Sequence, residues 1–199
     1  MDNADIGRLI RGMRLEKGLS QRELAEKLGV CGKTVSKWEC GMGAPDIQLW
    51  SALSQELGID LATLHEGRMD VAKKDNGKLS RMRIHVCPSC GNVVVSSAEA
   101  RISCCGRSLT PLEAKAADEA HLPAIERIGD EYLVRLSHPM DKEHHIAFIC
   151  LLRDDSFLIR RLYAEGGDEV YIPAIGRRAR LYVYCTHDGL FLAPPEILS

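Results

Sequence analysis

Four of the chain's eight cysteines fall between positions 87 and 105, in the run CPSCGNVVVSSAEARISCCG that ends at Gly106. Cys87 and Cys90 form a CxxC pair, and Cys104 and Cys105 are adjacent. Two close pairs joined by a short strand-like segment make the pattern of a tetrahedral metal site. The adjacent pair sets a geometric condition. Neighbouring side chains on a strand point to opposite faces, so Cys104 and Cys105 reach one ion only where the backbone turns. Gly106 permits such a turn, and Gly91 does the same after the first pair. Four thiolates suit zinc and iron alike.

The rest of the composition bounds what surrounds this site. A chain of 199 residues makes one large or two small domains, and 45% hydrophobic residues allow packed cores. A net charge of -2 does not by itself announce a nucleic-acid partner. No run is long and apolar enough to span a membrane, and MDNADIGRLIRGMR lacks the apolar core of a signal peptide. A cytoplasmic protein is therefore expected, in which cysteines serve metal or redox chemistry rather than disulfides.

Ahead of the cysteines the pattern is helical. Ile6, Leu9, Ile10 and Met13 recur at helical spacing over 6–17, and Gly18 stops that helix. Ser20 stands three residues before Glu23, a capping box that opens a second helix over 21–28, closed by Gly29. A third helix covers about 32–40, a fourth starts at Pro45-Asp46 with Leu49, Leu53 and Leu57 on one face, and a fifth covers 60–65. Two short helices joined by a tight turn suit a helix-turn-helix.

LSQRELAEKLGV followed by KTVSKWECG resembles the DNA-binding domain of phage repressors and their bacterial relatives, over residues 6–66. The resemblance implies an all-α five-helix domain whose third helix enters the major groove of double-stranded DNA. It places Gln21 at a phosphate, and Cys31, Gly32, Lys33, Ser36 and Lys37 on the DNA-facing side. It also implies an ion pair between Arg14 and Glu39. Lys33 and Lys37 share a helical face and reach phosphate or guanine edges. Gly32 replaces a residue that in the family is often Gln, Arg or Ser, which removes one base reader, and Cys31 is a weak donor. Trp38 is expected in the core. Two half-sites need two recognition helices, so a homodimer is expected.

Residues 67–84 carry six basic side chains against two acidic ones and no apolar period, which reads as a linker, either a solvated tether or a strap for phosphates. Beyond the cysteines, 112–120 reads as a helical or irregular connection. Strand-like runs follow at 123–127, 132–137, 145–153, 156–163, 169–172 and 180–185, punctuated by Gly, Asp and Pro, as in an antiparallel β-sandwich. Cys150 alternates with Phe148 and is expected in the core; His65 and His85 are expected at the surface.

Two further resemblances cover this half. The 87–105 segment resembles the iron-thiolate module of desulforedoxin and of the N-terminal part of desulfoferrodoxin, which implies one iron on Cys87, Cys90, Cys104 and Cys105, with zinc as the alternative. HPMDKEHHI and YCTHDGLF, with His121 before Leu122-Pro123, resemble the superoxide reductase domain over about 118–195. That family has an immunoglobulin-like sandwich and an iron bound by four histidines and one axial cysteine. His121, His138, His144 and Cys185 match ligands, and His145 matches a position that is not one. Two departures stand out. The fourth histidine is Asp188, with His187 one residue early, so the set is the three histidines and Cys185 with Asp188, the same four alone, or the same four with His187. The lysine before the first histidine is Ala120, while Glu119 matches the glutamate that caps the open iron position.

The expected plan is multidomain α + β: a helix-turn-helix domain at 1–66, a basic linker at 67–84, a four-cysteine β module at 85–110 and an immunoglobulin-like antiparallel sandwich at 111–199. Three functions fit it. The first is a transcription regulator that senses superoxide, oxygen or iron. The second is a superoxide reductase-like enzyme carrying a DNA-binding head. The third is a zinc-stabilised dimeric regulator without a redox role. Ala120 and Asp188 point away from efficient turnover, and Lys33 and Lys37 point to DNA, so the first is favoured.

Overall fold

The computed structural model describes residues 2–69, 81–153, 156–174 and 179–198. The chain divides into two compact units, Met1–Ala72 and Lys73–Ser199. No helix among the described residues is long and apolar enough to cross a membrane.

The first unit is five helices: α1 (Asn3–Glu16), α2 (Gln21–Leu28), α3 (Gly32–Glu39), α4 (Trp50–Leu57) and α5 (Leu61–Glu66). Helix α1 starts earlier than its apolar period, because the Asp2 side chain accepts the Ala4 N–H and caps a polar first turn. The expected capping box is formed at α2: Glu23 N–H donates to Ser20 Oγ at 3.1 Å, and Ser20 N–H donates to Glu23 Oε2 at 2.7 Å. A short 3-10 turn, Ile47–Leu49, precedes α4 and is capped by Asp46. Ile6, Ile10, Leu24, Val35, Leu53 and Leu57 are almost wholly buried in one core, and Trp38 joins them as expected. Gly7 lies where α1 meets α3; a Cβ there would sit 2.1 Å from the Trp38 carbonyl oxygen, so no other residue allows this approach.

The second unit opens with two small hairpins. Strand β1 (Arg83–Val86) pairs with β2 (Val93–Ser96), and β3 (Ile102–Cys104) pairs with β4 (Arg107–Leu109). A two-sheet sandwich follows. One sheet has the order β10-β7-β6, from β6 (Ala124–Ile128), β7 (Glu131–Arg135) and β10 (Glu169–Pro173). The other has the order β5-β12-β11-β8-β9, from β5 (Lys115–Ala116), β8 (Ile146–Leu152), β9 (Phe157–Arg161), β11 (Arg180–Cys185) and β12 (Gly189–Leu192). All pairings are antiparallel except β5 with β12. The expected irregular connection at 112–120 thus contains a short strand, and β12 completes a sheet whose other long strands the sequence had marked.

Strand β8 is buried on both faces, which is why it reads as the unbroken apolar run IAFICLL. Ile149 and Leu151 face the core between the sheets, with Val134, Leu181 and Val183. Phe148 and Cys150 face the other way and pack with Ile84, Val86, Val93 and Val95 of the first hairpin. The four-cysteine module is therefore seated on the outer face of the five-stranded sheet. Cys150 is fully buried, as expected. His85 is not at the surface: it is 2% exposed, with Nδ1 3.2 Å from the Leu109 carbonyl and Nε2 3.5 Å from Ser96 Oγ. The β3–β4 hairpin supplies that cover, and nothing local to β1 announces it. His65 is exposed, as expected. Of the basic linker, residues 70–80 lie outside the described residues, and Arg83 and Ile84 already belong to β1.

Candidate metal centres and recognition helix

The turn required at the adjacent cysteines is present. Cys104 pairs with Arg107, so Cys105 and Gly106 form a two-residue hairpin loop. Both have positive φ, 51° and 73°, the conformation of a type I′ turn. Cys87 and Cys90 sit on a second knuckle, closed by a bond from Gly91 N–H to the Cys87 carbonyl at 2.9 Å, with Gly91 at φ 66°. The two knuckles face each other, and all four sulfurs lie within 4.8 Å of one another. Cys90 Sγ is 3.6 Å from Cys104 Sγ, and Cys104 Sγ is 3.9 Å from Cys105 Sγ. A tetrahedral ion with metal–sulfur lengths of about 2.3 Å needs sulfurs about 3.8 Å apart.

The electrostatics of Cys87 and Cys105 point the same way. Burial pushes the Cys87 thiol up, but the backbone N–H groups of Ser89 and Cys90 outweigh it and bring the value to about 6. Cys105 is pushed up to about 12 by Cys90, Cys104 and Cys87. One thiol ionises readily and its neighbours then resist, a conflict that a cation at the centre removes.

The second centre gathers side chains from three connections and one strand end. His121 follows β5, His138 and His144 lie between β7 and β8, and Cys185 ends β11. The β11–β8 register slips between Tyr184 and Cys185, a bulge immediately after the loop that bears His144. The donor atoms of His121, His138, Cys185 and Asp188 lie within 4.8 Å of one another, as do those of His144, His187 and Asp188. Asp188 is common to both sets. Its Oδ2 is 3.0 Å from His144 Nε2, 3.4 Å from His121 Nε2 and 3.5 Å from Cys185 Sγ. Donors at right angles around one ion, at about 2.1–2.3 Å from it, stand about 3 Å apart, so these spacings suit a shared cation.

The imidazoles are oriented from behind. Asp118 Oδ1 accepts the His121 Nδ1–H at 2.6 Å, and the Pro139 carbonyl accepts the His138 Nδ1–H at 2.7 Å. Each Nε2 is thereby left with its lone pair. His121 is 5% exposed, its ring stacks on Phe191 at 3.8 Å, and its Nε2 is buried without a hydrogen-bond partner. A buried, unpaired acceptor costs about 1–3 kcal/mol unless a cation takes it. The Cys185 sulfur accepts N–H bonds from His187 and Asp188, each at 3.4 Å. Burial raises the Cys185 thiol, and it lowers His138; the contact with His187 holds the Asp188 carboxyl well below the usual range against burial. Asp118 is likewise held low, chiefly by His121.

Asp188 belongs to both donor sets and His187 to one. Asp188 stands among the donors, while His187, with a 72% exposed side chain, meets its outer oxygen, Oδ1, at 2.9 Å. Glu119 and Ala120 are exposed, and Glu119 belongs to neither donor set. His145 stays outside both sets as well, with its backbone tied to Thr186. Sequence reasoning missed Asp118, three residues before His121, and Lys115, whose Nζ donates to the Asp188 carbonyl at 2.9 Å. The Asp-x-x-His spacing was a readable signal for the first; nothing local signals the second.

In the first unit, Lys33 and Lys37 are exposed on α3, Ser36 and Gly32 are half-buried, and Cys31 is exposed with no side-chain cap bond. Arg14 and Glu39 form the expected pair, with Arg14 Nε to Glu39 Oε1 at 2.6 Å and Arg14 Nη2 to Oε2 at 2.9 Å. Gln21, the expected phosphate contact, donates to Glu39 Oε2 at 2.8 Å, so the pair also fixes the start of α2.

Comparison with known proteins separates the same two parts. Residues 10–64 match the helix-turn-helix family model. A desulfoferrodoxin homologue of Archaeoglobus fulgidus is 31% identical over 120 residues, covering 55% of this chain and 94% of that protein. The desulfoferrodoxin of Desulfarculus baarsii is 34% identical over 117 residues, covering 55% of this chain and 93% of that protein. The crystal structure of the superoxide reductase from Treponema pallidum superposes with a TM-score of 0.50 at 21% identity, over 57% of this chain and 98% of that one, a likeness of fold. With its sandwich, its two donor clusters and these relatives, the chain belongs to the desulfoferrodoxin family, fused behind a helix-turn-helix domain.

Proposed function

We propose that this chain is a cytoplasmic, homodimeric DNA-binding transcription regulator whose metal-bearing half reads redox state, with superoxide, oxygen or iron supply as the signal. The observation that carries this reading is Asp188: a carboxylate stands among His121, His144 and Cys185 in a chain that also exposes Lys33 and Lys37 on α3. In this reading Cys87, Cys90, Cys104 and Cys105 hold one iron, and His121, His138, His144, Asp188 and Cys185 hold another. Iron in such donor sets supplies one-electron oxidation and reduction. The protein's part is to hold and orient. Asp118 and the Pro139 carbonyl fix two imidazoles, and the His187 and Asp188 N–H groups support the Cys185 thiolate. In this reading Glu119, at the position of the family's capping glutamate, serves the open side of the centre. At DNA, Lys33 and Lys37 meet phosphates or guanine edges, with Gln21, Cys31, Gly32 and Ser36 on the same approach.

A signal passes only if oxidation favours one arrangement of the paired DNA-reading domains over another. The test is operator affinity, measured on fully reduced and fully oxidised protein of known metal content. Coupling of the usual size changes it by about 5- to 150-fold. Equal affinities remove the sensor, and zinc in place of iron moves the reading to a structural role.

The donor cluster also supports a second reading, a superoxide-reducing enzyme with a DNA-binding head. Ala120 stands where the family has its lysine, and Lys115 is committed to the Asp188 carbonyl, which argues for slow turnover. Stopped-flow mixing of iron-loaded protein with superoxide decides the matter: a rate matching that of dedicated superoxide reductases replaces the regulator as the primary function.

A further inference from the structure

Oδ1, the backbone carbonyl and the backbone N–H of Asp188 each have a hydrogen-bond partner of their own. His187 Nδ1 holds Oδ1 at 2.9 Å, Lys115 Nζ holds the backbone carbonyl at 2.9 Å, and the backbone N–H donates to Cys185 Sγ at 3.4 Å. Only Oδ2 is left, and it faces His144, His121 and Cys185. The arrangement follows from the sheet. Cys185 pairs with Gly189 across the β11–β12 hairpin, so Thr186, His187 and Asp188 form a three-residue loop. Strand β5 pairs in parallel with β12 and sets Lys115 beside Phe191, from which its ammonium reaches the loop and lies 5.6 Å from the Phe191 ring centre.

We infer that His187 and Lys115 are positioning residues that clamp Asp188 as a fixed anionic donor, and that this clamp makes the histidine centre resist added anions. The inference rests on the reading of that cluster as an iron centre. A thiolate with four neutral imidazoles leaves ferric iron with a net charge of +2. A thiolate and a carboxylate with three imidazoles leave it at +1. The oxidised state is better neutralised in the second case, and an incoming anion is less attracted. A free carboxylate would swing out to water and forfeit this effect, since Asp188 is only partly buried. The clamp prevents that by holding the outer oxygen and the backbone at once. The inference extends the proposed function: such a centre changes oxidation state without readily admitting small anions as ligands, which suits a sensor better than a turnover site.

The test uses the full-length, iron-loaded, oxidised chain, with azide as the probe anion, followed by absorption. The four-cysteine site is coordinatively closed and gives a constant background. His187→Ala is expected to bind azide about tenfold more tightly and to lose iron to a chelator about tenfold more readily, the size of effect usual for an outer partner of a metal ligand. His187→Asn, whose amide can donate from nearly the same place as Nδ1, is expected to restore both. Lys115→Met, which keeps an apolar stem over Phe191, is expected to lose iron to the chelator more readily, as His187→Ala does; because it also removes a positive charge that attracts anions, its chelator readout and not its azide affinity tests the clamp. Thermal unfolding shows whether each variant is folded, and Asp188→Asn tests the charge directly, because it removes the carboxylate while keeping the loop. If the wild-type chain takes no iron at the histidine cluster, the metal reading and the clamp fall together. If it takes iron and His187→Ala matches wild type in azide affinity and Lys115→Met matches it in iron loss, the clamp alone is overturned. The same holds if Asp188→Asn leaves azide affinity unchanged.

Discussion

Replacing Arg14 by Met is expected to remove a large part of the stability of the helix-turn-helix unit. The guanidinium makes two contacts to Glu39, at 2.6 and 2.9 Å, and donates to the Leu19 carbonyl at 2.6 Å. The two side chains are 8% and 2% exposed, so water cannot replace the lost partner. Glu39 would keep the hydrogen bond from Gln21, at 2.8 Å, and the charge of Arg11. Breaking a buried pair in this way costs about 3–5 kcal/mol. A unit of this size, residues 1–72, has a total stability of roughly 4–11 kcal/mol at about 0.05–0.15 kcal/mol per residue. Both tryptophans, Trp38 and Trp50, lie in this unit, so urea unfolding followed by tryptophan fluorescence reports it separately from the sandwich. Burial opposes ionisation of Glu39, but Arg14 and Gln21 outweigh it and hold the carboxyl below its ordinary value of 4.5. The pair's contribution is therefore present above about pH 4.5 and is lost as pH falls through the lower folded value. In Arg14→Met burial loses its main counterweight, and acidification from neutral pH down to about pH 4.5, the ordinary value, is expected to stabilise the unit instead. A loss under about 1 kcal/mol, the size for an exposed ion pair, or an unchanged pH profile would refute the argument.

Three further expectations follow from other parts of the molecule. Lys37→Ala should weaken operator binding and reduce the slope of log affinity against log salt by about one, as for a phosphate contact; an unchanged slope places Lys37 off the DNA. Asp118→Ala should lower metal affinity at the histidine cluster about 10- to 100-fold in chelator competition, because His121 loses the partner of its Nδ1; unchanged affinity would make Asp118 a bystander. Phe148 is fully buried beneath the first hairpin and stacks on Tyr184 at 4.9 Å, so Phe148→Ala should cost the second unit about 3–5 kcal/mol in unfolding followed by near-ultraviolet circular dichroism. A change below about 1 kcal/mol would mean that the hairpin does not depend on that contact.

The sequence by itself determined whatever depends on neighbours along the chain. Ser20 with Glu23 opens α2, Gly29 closes it, and the helical spacing of Ile6, Leu9, Ile10 and Met13 gives α1 its buried face. The two adjacent cysteines required a turn, and Cys105-Gly106 supplies it. The histidines and Cys185 were legible through spacing and family likeness, and they do converge. The tertiary structure decided what depends on residues far apart. How Asp188 and His187 are arranged about the other donors is a one-residue question that spacing cannot answer; the Cys185–Gly189 pairing and Lys115, from a strand over 70 residues away, orient that loop. His85 is buried only because Leu109 and its hairpin come to lie over β1. The doubly apolar β8 signalled a cover on both faces, but only the fold shows that the cysteine module is that cover. The reason is physical: caps, turns and periodicity are local free-energy preferences, whereas burial and the aim of a carboxylate arise when strands distant in sequence pair.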